Sequence, residues 1–588
     1  MTGVDGDSTK EEKKRGITID LSFSNLSNGD TNIAFIDVPG HEKLLKNMIA
    51  GAFGFDACLL VVDACELIMP QTKEHLEVLN LLGVRNILVA LTKIDLIPQD
   101  EVKAKKEIVQ EFLRGFRNLE LIDIIPTSIK EPRSIKNLEN ALFHLPQVRK
   151  KSSNVFRYYI DRSFSIAGAG SVVTGTVLSG EVRLKDRLFV CELGKEVQVK
   201  NLQVHEQNVE LASTSQRLAI NLANNKLSLK RGLLLSKKGY LRGFESVDVY
   251  LESIDRQEVR HNSTLIAYIG TKQITAKVLL YSKDSIKEGF AKLKFNEKVF
   301  SIFNEPIILT LNSRVVAGAK VLSPINEPLK KKHKMPLLKA LQKSDFKKAF
   351  EILVKSHKRG FGLISSNQRF GLTHQEAIEI AKEIDNIFVD EKNLVLYSNE
   401  AKEILKQIIL DIYKQNIYAL LSVKSICLKL KWASESLVLS ILEEFKNGGV
   451  LEFENGVYKS ASVEIENIDR LIEDRIYQNL EGSKISPKAP NNIFDDLNID
   501  RQKGNIALKA LAKSKKVVRL SHNIFVSNNQ LTILISELKD IIRKDGYIEI
   551  SNFKTYYPNL SRKYIIAYLE YLDLQKDIKK EGNRRVLT

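Results

Sequence analysis

Residues 37–41 read Asp-Val-Pro-Gly-His. They follow an apolar run at 32–36 that predicts a strand, and they precede a stretch with helical spacing. At such a strand-to-helix turn an aspartate can hold a metal ion through water, and a glycine amide can reach a terminal phosphate. Asp and Gly are also common in ordinary βα turns, so this run alone does not establish a phosphate site.

A second run, Thr-Lys-Ile-Asp at 92–95, follows the apolar stretch that ends at Leu91. An aspartate carboxylate can accept two hydrogen bonds from guanine, and a lysine stem can cover the ring. The chain between the two runs is long enough for two helices and a strand. Residues 31–130 alternate apolar runs with helical patterns throughout, which predicts a parallel α/β sheet that begins with the strand at 32–37.

Two further runs flank this pair. Arg-Gly-Ile-Thr-Ile at 15–19 lies ahead of Asp37, where a mobile loop could bring the Thr18 hydroxyl to a magnesium ion. Pro-Thr-Ser-Ile-Lys at 126–130 follows the next strand and could offer backbone amides around Ser128 to a base.

The four runs in this order resemble the translational GTPase superfamily, and Arg-Gly-Ile-Thr-Ile followed by Asp-Val-Pro-Gly-His is specific to it. The resemblance implies GTP/GDP and Mg²⁺ as cofactors and a site at these turns, made of Thr18, Asp37, Gly40, His41, Thr92, Lys93, Asp95 and Ser128. By this resemblance His41 is the catalytic residue that positions the attacking water, and Thr18 and Asp37 bind the metal. Gly40 would sense the γ-phosphate, and Asp95 would select guanine.

One expected part is missing from the pattern. The superfamily opens with a strand and a Gly-x-x-x-x-Gly-Lys-Ser/Thr loop that holds the β- and γ-phosphates, and no such run lies ahead of Thr18. We therefore expect an incomplete P-loop GTPase domain over 1–150, truncated at its amino terminus. Either the sequence is an incomplete reading of a longer gene, or the chain is a variant whose binding of GTP/GDP and Mg²⁺ is weakened or absent.

Charge indicates the class of partner. The 588 residues carry a formal net charge of +17, and residues 501–520 hold seven basic side chains without an acidic one. Such an excess favours a polyanion, although a lysine-rich composition could also spread charge without function. No apolar run is long enough for a membrane span, no targeting segment is evident, and the four cysteines lack metal-ligand spacing, which predicts a cytoplasmic protein.

Beyond residue 150 the pattern changes twice. Short β-branched segments broken by glycine predict two β-barrels, at 151–240 and 241–328. After a basic linker at 330–334, helical stretches each end in a short strand pair, at 387–397, 450–459, 517–526 and 578–587. Helices closed by a hairpin predict winged-helix modules. The four expected modules span 335–399, 400–462, 463–529 and 530–588.

The barrel segments refine the resemblance. Residues 160–166, 168–170, 173–176 and 216–222 resemble the second domain of the selenocysteine-specific elongation factors, which are relatives of elongation factor Tu. In that branch Asp161, Arg162 and Arg217 match positions that line the aminoacyl pocket. Two guanidinium groups would favour an ionised selenolate over a seryl hydroxyl. Alternatively, Asp161 and Arg162 pair with each other on the barrel surface.

The helical arm completes the resemblance, because elongation factor Tu stops after its third domain. It implies a monomer that delivers selenocysteyl-tRNA to the ribosome at UGA codons marked by an mRNA hairpin. Winged helices contact RNA through a helix amino terminus and a wing. Our candidates for RNA contact in the last two modules are Lys513, Lys515, Lys516, Arg519, Arg543, Lys544, Arg562, Lys563, Arg584 and Arg585.

Arg562 and Lys563 are favoured among these candidates because Ser561 predicts a helix start. Tyr556, Tyr557 and Tyr564 could stack on a base or lie in the core. Two rival functions stay open: an adaptor that binds tRNA and the mRNA hairpin without nucleotide, and a DNA-binding regulator that uses the winged helices.

Overall fold

The computed structural model describes residues 21–29, 31–38, 48–49, 52–116, 118–146, 155–166, 170–205, 207–223, 227–254, 257–282, 284–312 and 314–588. The chain divides into two compact units. The first unit is Met1–Ser356 with Gly362–Asp385, and the second is His357–Phe361 with Asn386–Thr588.

The first domain of unit 1 is an α/β layer. Its elements are β1 (Ser22–Ser27), β2 (Asn32–Asp37), β3 (Ala57–Asp63), α1 (Pro70–Leu82), β4 (Asn86–Thr92), a 3₁₀ turn (Ile94–Leu96), α2 (Glu101–Arg114), β5 (Glu120–Pro126) and α3 (Pro132–Phe143). Strands β3, β4 and β5 form a parallel sheet in that order. Central β4 is apolar almost throughout and buried over 86–91, as a strand covered on both faces must be.

The prediction that the strand at 32–37 belongs to the parallel sheet is wrong among the described strands. Strand β2 pairs antiparallel with β1 in a separate two-stranded ribbon. Asn28 and Gly29 lie in the turn between them, and Gly29 has a φ of 95°. Asn-Gly is a common turn signal, so Asn28 and Gly29 just ahead of the strand at 32–37 were the sequence sign of a hairpin.

Two barrels follow. The first contains β6 (Arg157–Ile166), β7 (Gly170–Ser179), β8 (Glu181–Arg183), β9 (Arg187–Val190), β10 (Lys195–Val204), β11 (Gln207–Asn208), β12 (Leu211–Ser213), β13 (Arg217–Ala223) and β14 (Leu234–Ser236). Pairing of β10 with β9 closes its main sheet. The second contains β15 (Phe244–Ser253), β16 (Val259–Arg260), β17 (Thr264–Ile269), β18 (Lys272–Leu280), β19 (Ser285–Ile286), β20 (Glu288–Val299), β21 (Pro306–Leu311) and β22 (Arg314–Ser323). Six of these strands form a closed barrel.

Buried contacts hold the three domains of unit 1 together. Arg157 of the first barrel pairs with Glu305 of the second, and their side chains are only 5% and 3% exposed. The Thr271 hydroxyl donates to the Ile160 carbonyl at 2.6 Å. Helix α1 packs on the second barrel at Gly318, where a Cβ atom would lie 2.5 Å from Leu81 Cδ2. Only glycine therefore admits this approach.

The helical arm begins inside unit 1. Its first elements are α4 (Lys331–Gln342), α5 (Phe346–Ser356), α6 (Ser366–Phe370) and α7 (His374–Lys382). The two-residue strand β23 (Phe361–Gly362) falls at the division between the units, with Phe361 in unit 2 and Gly362 in unit 1. Buried Lys334 pairs with Asp248, and Arg369 pairs with Glu327. The Gln368 amide donates to the Arg242 carbonyl at 2.8 Å. These contacts dock the segment from α4 to α7 onto the second barrel.

Unit 2 carries the remaining helices and the four strand pairs. Its elements are β24 (Ile387–Asp390), β25 (Val395–Ser398), α8 (Asn399–Gln415), α9 (Val423–Lys429), α10 (Glu435–Asn447), β26 (Leu451–Glu454), β27 (Val457–Ser460), α11 (Ile468–Gly482), α12 (Pro490–Asp496), α13 (Arg501–Lys513), β28 (Val517–Ser521), β29 (Ile524–Ser527), α14 (Asn528–Asp545), α15 (Ile550–Tyr556), α16 (Arg562–Leu572), β30 (Ile578–Glu581) and β31 (Arg584–Leu587). The four predicted strand pairs are present as antiparallel ribbons. The boundary between the units falls within the expected module 335–399.

Polar links join the helices of unit 2 across its expected modules. Buried Asp500 accepts hydrogen bonds from the hydroxyls of Ser422 and Ser425 at 2.6 and 2.7 Å. Its other oxygen caps α13 by accepting from the amides of Gln502 and Lys503. None of the helices within the described ranges has an apolar stretch of the length that a bilayer span requires.

Candidate functional site

Three chain segments leave the parallel sheet at one edge. Asp63 at the end of β3 lies opposite Thr92 at the end of β4, and Leu91 lies opposite Pro126 at the end of β5. Parallel strands place the loops after their carboxyl ends together, and ligands of open α/β sheets bind at that edge. The predicted Thr-Lys-Ile-Asp and Pro-Thr-Ser-Ile-Lys runs are thereby brought side by side.

Asp95 is the centre of this edge. Its Oδ1 accepts from the Ser128 hydroxyl at 2.7 Å, and its Oδ2 lies 2.8 Å from the Lys130 ammonium. The hydrogen bond from Lys130 and then that from Ser128 hold the pKa of Asp95 below its ordinary value of 3.8. The carboxylate is therefore ionised at neutral pH, as an acceptor of guanine N–H groups must be.

The neighbouring residues make the edge rigid. Lys93 adopts a left-handed backbone conformation with a φ of 58°, and its ammonium lies 2.6 Å from the Asp63 carboxylate. Their mutual hydrogen bond raises the pKa of Lys93 and lowers that of Asp63. The Thr92 hydroxyl donates to the Val62 carbonyl at 3.2 Å. All three side chains are therefore held in place by neighbours within the domain.

The loop around Ser128 is also preorganised. The Ser128 amide donates to the Ser134 hydroxyl at 2.9 Å, and the Lys130 amide donates to the Ser128 hydroxyl at 3.1 Å. These two amides are thus used within the loop, which fixes the Ser128 side chain on Asp95. Ile129 stands between them and is almost fully exposed.

Of the four residues predicted to act at the phosphates and Mg²⁺, the structure describes Asp37. Thr18, Gly40 and His41 lie outside the described residues, so their roles stay predictions. Asp37 is the exposed last residue of β2, in the antiparallel ribbon. The described residues bring Asp95 and Ser128 together at the edge where a guanine base is predicted to bind. The Mg²⁺ site of Thr18 and Asp37 stays a prediction.

A second candidate site lies where the first barrel meets the α/β domain. Arg217 binds Asp161 through both guanidinium nitrogens, with Nη2 at 3.1 Å from Oδ1. The Thr174 hydroxyl donates to the same carboxylate at 2.7 Å. The Arg162 guanidinium donates to the Leu21 carbonyl at 2.5 Å. Asp161 therefore pairs with Arg217, and the alternative pairing with Arg162 is not observed.

Sequence reasoning missed the aromatic part of this site. The Phe23 ring lies 3.8 Å from the Arg217 guanidinium carbon and 5.3 Å from that of Arg162. Phe23, Asp161 and Arg217 line a cavity between the two domains. The available signal was the alternation of apolar and polar residues after the Arg-Gly-Ile-Thr-Ile run, which predicts a strand with Phe23 on one face.

The candidate RNA contacts of the third expected module surround β28. Lys513 is exposed at the end of α13, and Lys515 and Lys516 are exposed between α13 and β28, where Lys515 has a φ of 60°. Arg519 is exposed on the strand, with its guanidinium carbon 5.7 Å from the centre of the Phe525 ring. This cluster presents four cations on the hairpin side.

The exposed candidates of the last expected module lie at the start of α16, on the last hairpin and at the end of α14. Ser561 is the N-cap of α16, and Arg562 and Lys563 are exposed in its first turn. Arg584 is exposed over the Tyr547 ring at 4.1 Å. Exposed Arg543 pairs with Asp540 within α14, three residues apart. Lys544 is exposed beside Tyr556.

Arg585 belongs to the support of the last hairpin. Its side chain is buried and bound by both oxygens of Asp573, at 2.8 and 2.9 Å, so we leave it out of the proposed RNA surface. Tyr564 is buried, and its hydroxyl binds the Pro487 carbonyl. Tyr557 and Tyr556 bind Glu537 and Asp545 through their hydroxyls. Of these tyrosines, Tyr564 lies in the core.

Comparison with protein families places both ends of the chain. A model of the elongation factor Tu GTP binding domain matches residues 2–147. A model described as elongation factor SelB, winged helix, matches residues 540–587.

Whole-protein comparisons agree with these matches. A selenocysteine-specific elongation factor of Methanocaldococcus jannaschii is 37% identical over 333 residues, which are 54% of this chain and 69% of that protein. Those of Escherichia coli K12 and Desulfomicrobium baculatum are 36% and 34% identical over 58% and 57% of this chain. The chain spans about half the length of these two relatives, 55% and 54%.

The fold is also similar to that of a solved structure. The crystal structure of a bacterial selenocysteine-specific elongation factor matches all of this chain and 96% of its own, with a TM-score of 0.67 and 26% identity. Asp95 and Ser128 lie within the residues that the elongation factor Tu model matches, and the solved structure covers these two residues as well as Asp161, Arg162 and Arg217. The chain belongs to the family of selenocysteine-specific elongation factors.

Proposed function

We propose that this chain delivers selenocysteyl-tRNA to the ribosome in a GTP-dependent reaction, at UGA codons that an mRNA hairpin marks. The observation that carries the proposal is the cluster where the first barrel meets the α/β domain: the guanidinium groups of Arg162 and Arg217 both lie near the Phe23 ring, and Arg217 and Asp161 line a cavity there. Strand β1, which carries Phe23, follows the Arg-Gly-Ile-Thr-Ile run in the sequence. The aminoacyl pocket and the nucleotide domain therefore share one strand.

Charge gives the pocket its selectivity. A selenol is ionised at neutral pH and a serine hydroxyl is not, so a cationic pocket favours the selenocysteyl ester. Asp161 binds Arg217 and fixes its orientation, and the Arg162 guanidinium donates to the Leu21 carbonyl.

Equilibrium binding tests the pocket. Arg217→Ala should weaken the binding of selenocysteyl-tRNA more than that of seryl-tRNA, because only the selenolate loses a charge partner. Arg187→Ala, which removes an exposed arginine from β9 of the same barrel, should change neither value. Equal losses for the two tRNAs would remove the pocket assignment.

The nucleotide edge supplies the GTP dependence. Asp95, held by Ser128, would accept the guanine N–H groups, and the Lys93 stem beside Thr92 would cover the ring. Thr18 and Asp37 would hold Mg²⁺, whose charge would neutralise the phosphates, while Gly40 would sense the γ-phosphate and His41 would position water. Asp95→Asn should lose GTP and accept xanthosine triphosphate, since an amide can donate to the xanthine 2-oxo group. Retained preference for GTP would contradict the assignment.

An adaptor without nucleotide binding is the second candidate, because no Gly-x-x-x-x-Gly-Lys-Ser/Thr run occurs within the 588 residues. Titration of the chain with a fluorescent GTP analogue separates the two. The GTPase requires saturable binding, and the adaptor requires none while tRNA still binds.

The arm would bind the mRNA hairpin with its exposed cations. We propose that residues 335–588 form four tandem winged-helix modules and that the last two provide the RNA surface. Its residues are Lys515, Lys516, Arg519, Arg543, Arg562, Lys563 and Arg584. Competition between an RNA hairpin and a DNA duplex at matched salt tests this surface, and preference for the duplex would favour a DNA-binding regulator. We place this factor in the cytoplasm as a monomer.

A further inference from the structure

The hairpin of the third expected module is built into the core of the last one. Strands β28 and β29 pair antiparallel, and Ile524 and Val526 of β29 lie in one buried cluster with side chains of α14 and α16. Val518 and Leu520 of β28 pack against the same cluster. The core of the last expected module therefore includes side chains of the third.

Two buried tyrosines of α16 bind the backbone of the third expected module. The Tyr564 hydroxyl donates to the Pro487 carbonyl. The Tyr568 hydroxyl donates to the Ile485 carbonyl at 2.8 Å. Since residues four apart share a face of a helix, one face of α16 is fixed on the loop that follows α11.

The start of α14 is also bound to the third expected module. The Glu481 carboxylate, near the end of α11, accepts hydrogen bonds from the side-chain amides of Asn529 and Gln530 at 2.6 and 2.9 Å. Both α14 and α16 carry residues of the proposed RNA surface. The helices that present these residues are therefore attached to the third expected module.

Tyr564 lies beside two of the proposed RNA contacts. Arg562 and Lys563 precede it in the first turn of α16 and are exposed. The Lys563 ammonium lies 4.6 Å from the centre of the Tyr564 ring. The side chain that anchors α16 thus also supports a cation of the proposed surface.

We propose that Tyr564 is a positioning residue for RNA binding. Through its hydroxyl, the third expected module fixes the first turn of α16, so that Arg562 and Lys563 meet the phosphate backbone of an RNA hairpin in one orientation. This inference rests on the proposed RNA surface of the arm. Tyr564 is buried and acts by preorganising that surface, which lowers the ordering cost of binding.

The expected effect is that of one buried hydrogen bond. Such a bond favours the joined state by a net factor of roughly 2 to 10. Because binding requires the joined state, loss of the bond reduces the apparent affinity by part of that factor. No cation is removed, so the slope of log affinity against log salt should stay unchanged.

The second expected module offers a matched control. Tyr413 of α8 is buried, and its hydroxyl donates to the Tyr458 carbonyl at 2.8 Å. Tyr413→Phe removes the same kind of hydrogen bond as Tyr564→Phe, from a module that holds none of the proposed RNA contacts. Both variants should lower the melting temperature, and only Tyr564→Phe should weaken RNA binding.

A second pair of variants changes packing in place of hydrogen bonding. Val526 of β29 and Val457 of β27 are both buried, and each lies in the core of the module that follows its own hairpin. Val526→Ala leaves a cavity at the joint with the last expected module, and Val457→Ala leaves the same cavity one joint earlier. We expect only Val526→Ala to weaken RNA binding.

The test is fluorescence anisotropy of the full chain and its variants with a labelled RNA stem-loop, the mRNA segment that follows a UGA codon, over a salt series. Circular dichroism gives the melting temperatures, and binding is measured where every variant is folded. We expect Tyr564→Phe and Val526→Ala to bind roughly 2- to 5-fold more weakly with an unchanged salt slope. Tyr413→Phe and Val457→Ala should bind as the unaltered chain does.

Two results would contradict the inference and differ in their reach. Losses for Tyr564→Phe and Val526→Ala that are no larger than those of their controls would overturn it while leaving the RNA surface in place. Absence of stem-loop binding by the unaltered chain would overturn the proposed RNA surface and this inference with it.

Discussion

Strand β6 contributes to two guanidinium–carboxylate pairs that differ in their surroundings. Arg157, at its start, pairs with Glu305 between the two barrels, and the side chains are 5% and 3% exposed. Asp161, four residues along, pairs with Arg217 beside the cavity that Phe23 lines, and these side chains are 9% and 17% exposed. The same chemistry thus occurs at a sealed interface and beside a small cavity.

The difference teaches that access, and not the type of pair, separates a structural contact from a binding site. Neither water nor a ligand can reach a sealed pair, so removal of one of its side chains leaves an uncompensated buried charge. A pair at a cavity can share its charges with a ligand. We therefore expect the first pair to control stability and the second to control selectivity.

The largest effect should come from the sealed pair. Glu305→Ala should lower the free energy of unfolding of unit 1 by about 3–5 kcal/mol, because Arg157 would remain buried without a counter-charge. Differential scanning calorimetry measures this loss. Glu181→Ala breaks the exposed pair with Arg183 and should cost less than about 1 kcal/mol. If the two variants melt together, access does not separate these classes.

The next effect concerns Asp500 in unit 2, whose carboxylate accepts hydrogen bonds from hydroxyls and backbone amides. Asp500→Ala should cost about 2–3 kcal/mol, since α13 loses its cap and the Ser422 and Ser425 hydroxyls lose their acceptor. Urea unfolding of the chain checks this. Asp469→Ala removes an exposed carboxylate on α11 and should cost far less.

Asp500 also predicts a pH dependence. Burial would raise its pKa, but the hydrogen bonds from Ser422, Ser425 and the α13 amides outweigh burial and lower it below 3.8. The contribution of Asp500 to stability is therefore complete above the pKa of the unfolded chain, near 4, and is lost as pH falls through the lower folded value. Asp500→Asn should lack this acid-side loss in unfolding experiments. An unchanged slope would show that the carboxylate is not the titrating group.

A smaller effect should appear at the open pair. Arg217→Lys keeps the positive charge but loses the two-pronged contact with Asp161 and the stacking on Phe23. We expect selectivity for selenocysteyl-tRNA over seryl-tRNA to fall by about 10-fold, with a change in stability below about 1 kcal/mol. Ratios of dissociation constants and melting temperatures measure the two quantities. A large loss of stability without loss of selectivity would place this pair with the sealed one.

The smallest effect is expected for Arg562, an exposed cation in the first turn of α16. Arg562→Ala should weaken RNA hairpin binding by roughly three- to fivefold and reduce the slope of log affinity against log salt by about 1, as expected for one lost phosphate contact. Fluorescence anisotropy over a salt series measures both. Arg470→Ala, which removes an exposed arginine from α11, should change neither. An unchanged slope for Arg562→Ala would remove it from the RNA surface.

Much of the fold could be predicted from local pattern. The apolar runs ending at Val62, Leu91 and Ile125 give the parallel sheet, and the central one is buried on both faces. The four hairpins follow from short strand pairs that close the helical stretches at regular spacing. Strand β1 was missed because its residues, Ser-Phe-Ser-Asn-Leu-Ser, include few strong strand formers, and its pairing with β2 depends on a turn.

The sites were less predictable because they depend on contacts between distant residues. Asp95 and Ser128 could be paired from the order of strands alone, since both follow parallel strands at one edge. The pairing of Arg217 with Asp161 depends on barrel register, and the burial of Arg585 depends on Asp573. Docking of the segment from α4 to α7 on the second barrel uses buried Lys334 and partly buried Arg369, whose charges predict exposure.

The central claim is that one chain couples guanine nucleotide to the binding of a charged tRNA. The direct measurement is the dissociation constant of selenocysteyl-tRNA for the unaltered chain and for Asp95→Asn, each with a non-hydrolysable GTP analogue, with GDP and without nucleotide. We predict that the GTP analogue tightens binding at least about 10-fold for the unaltered chain and leaves Asp95→Asn unchanged. Equal dissociation constants under all three conditions for the unaltered chain would contradict the account.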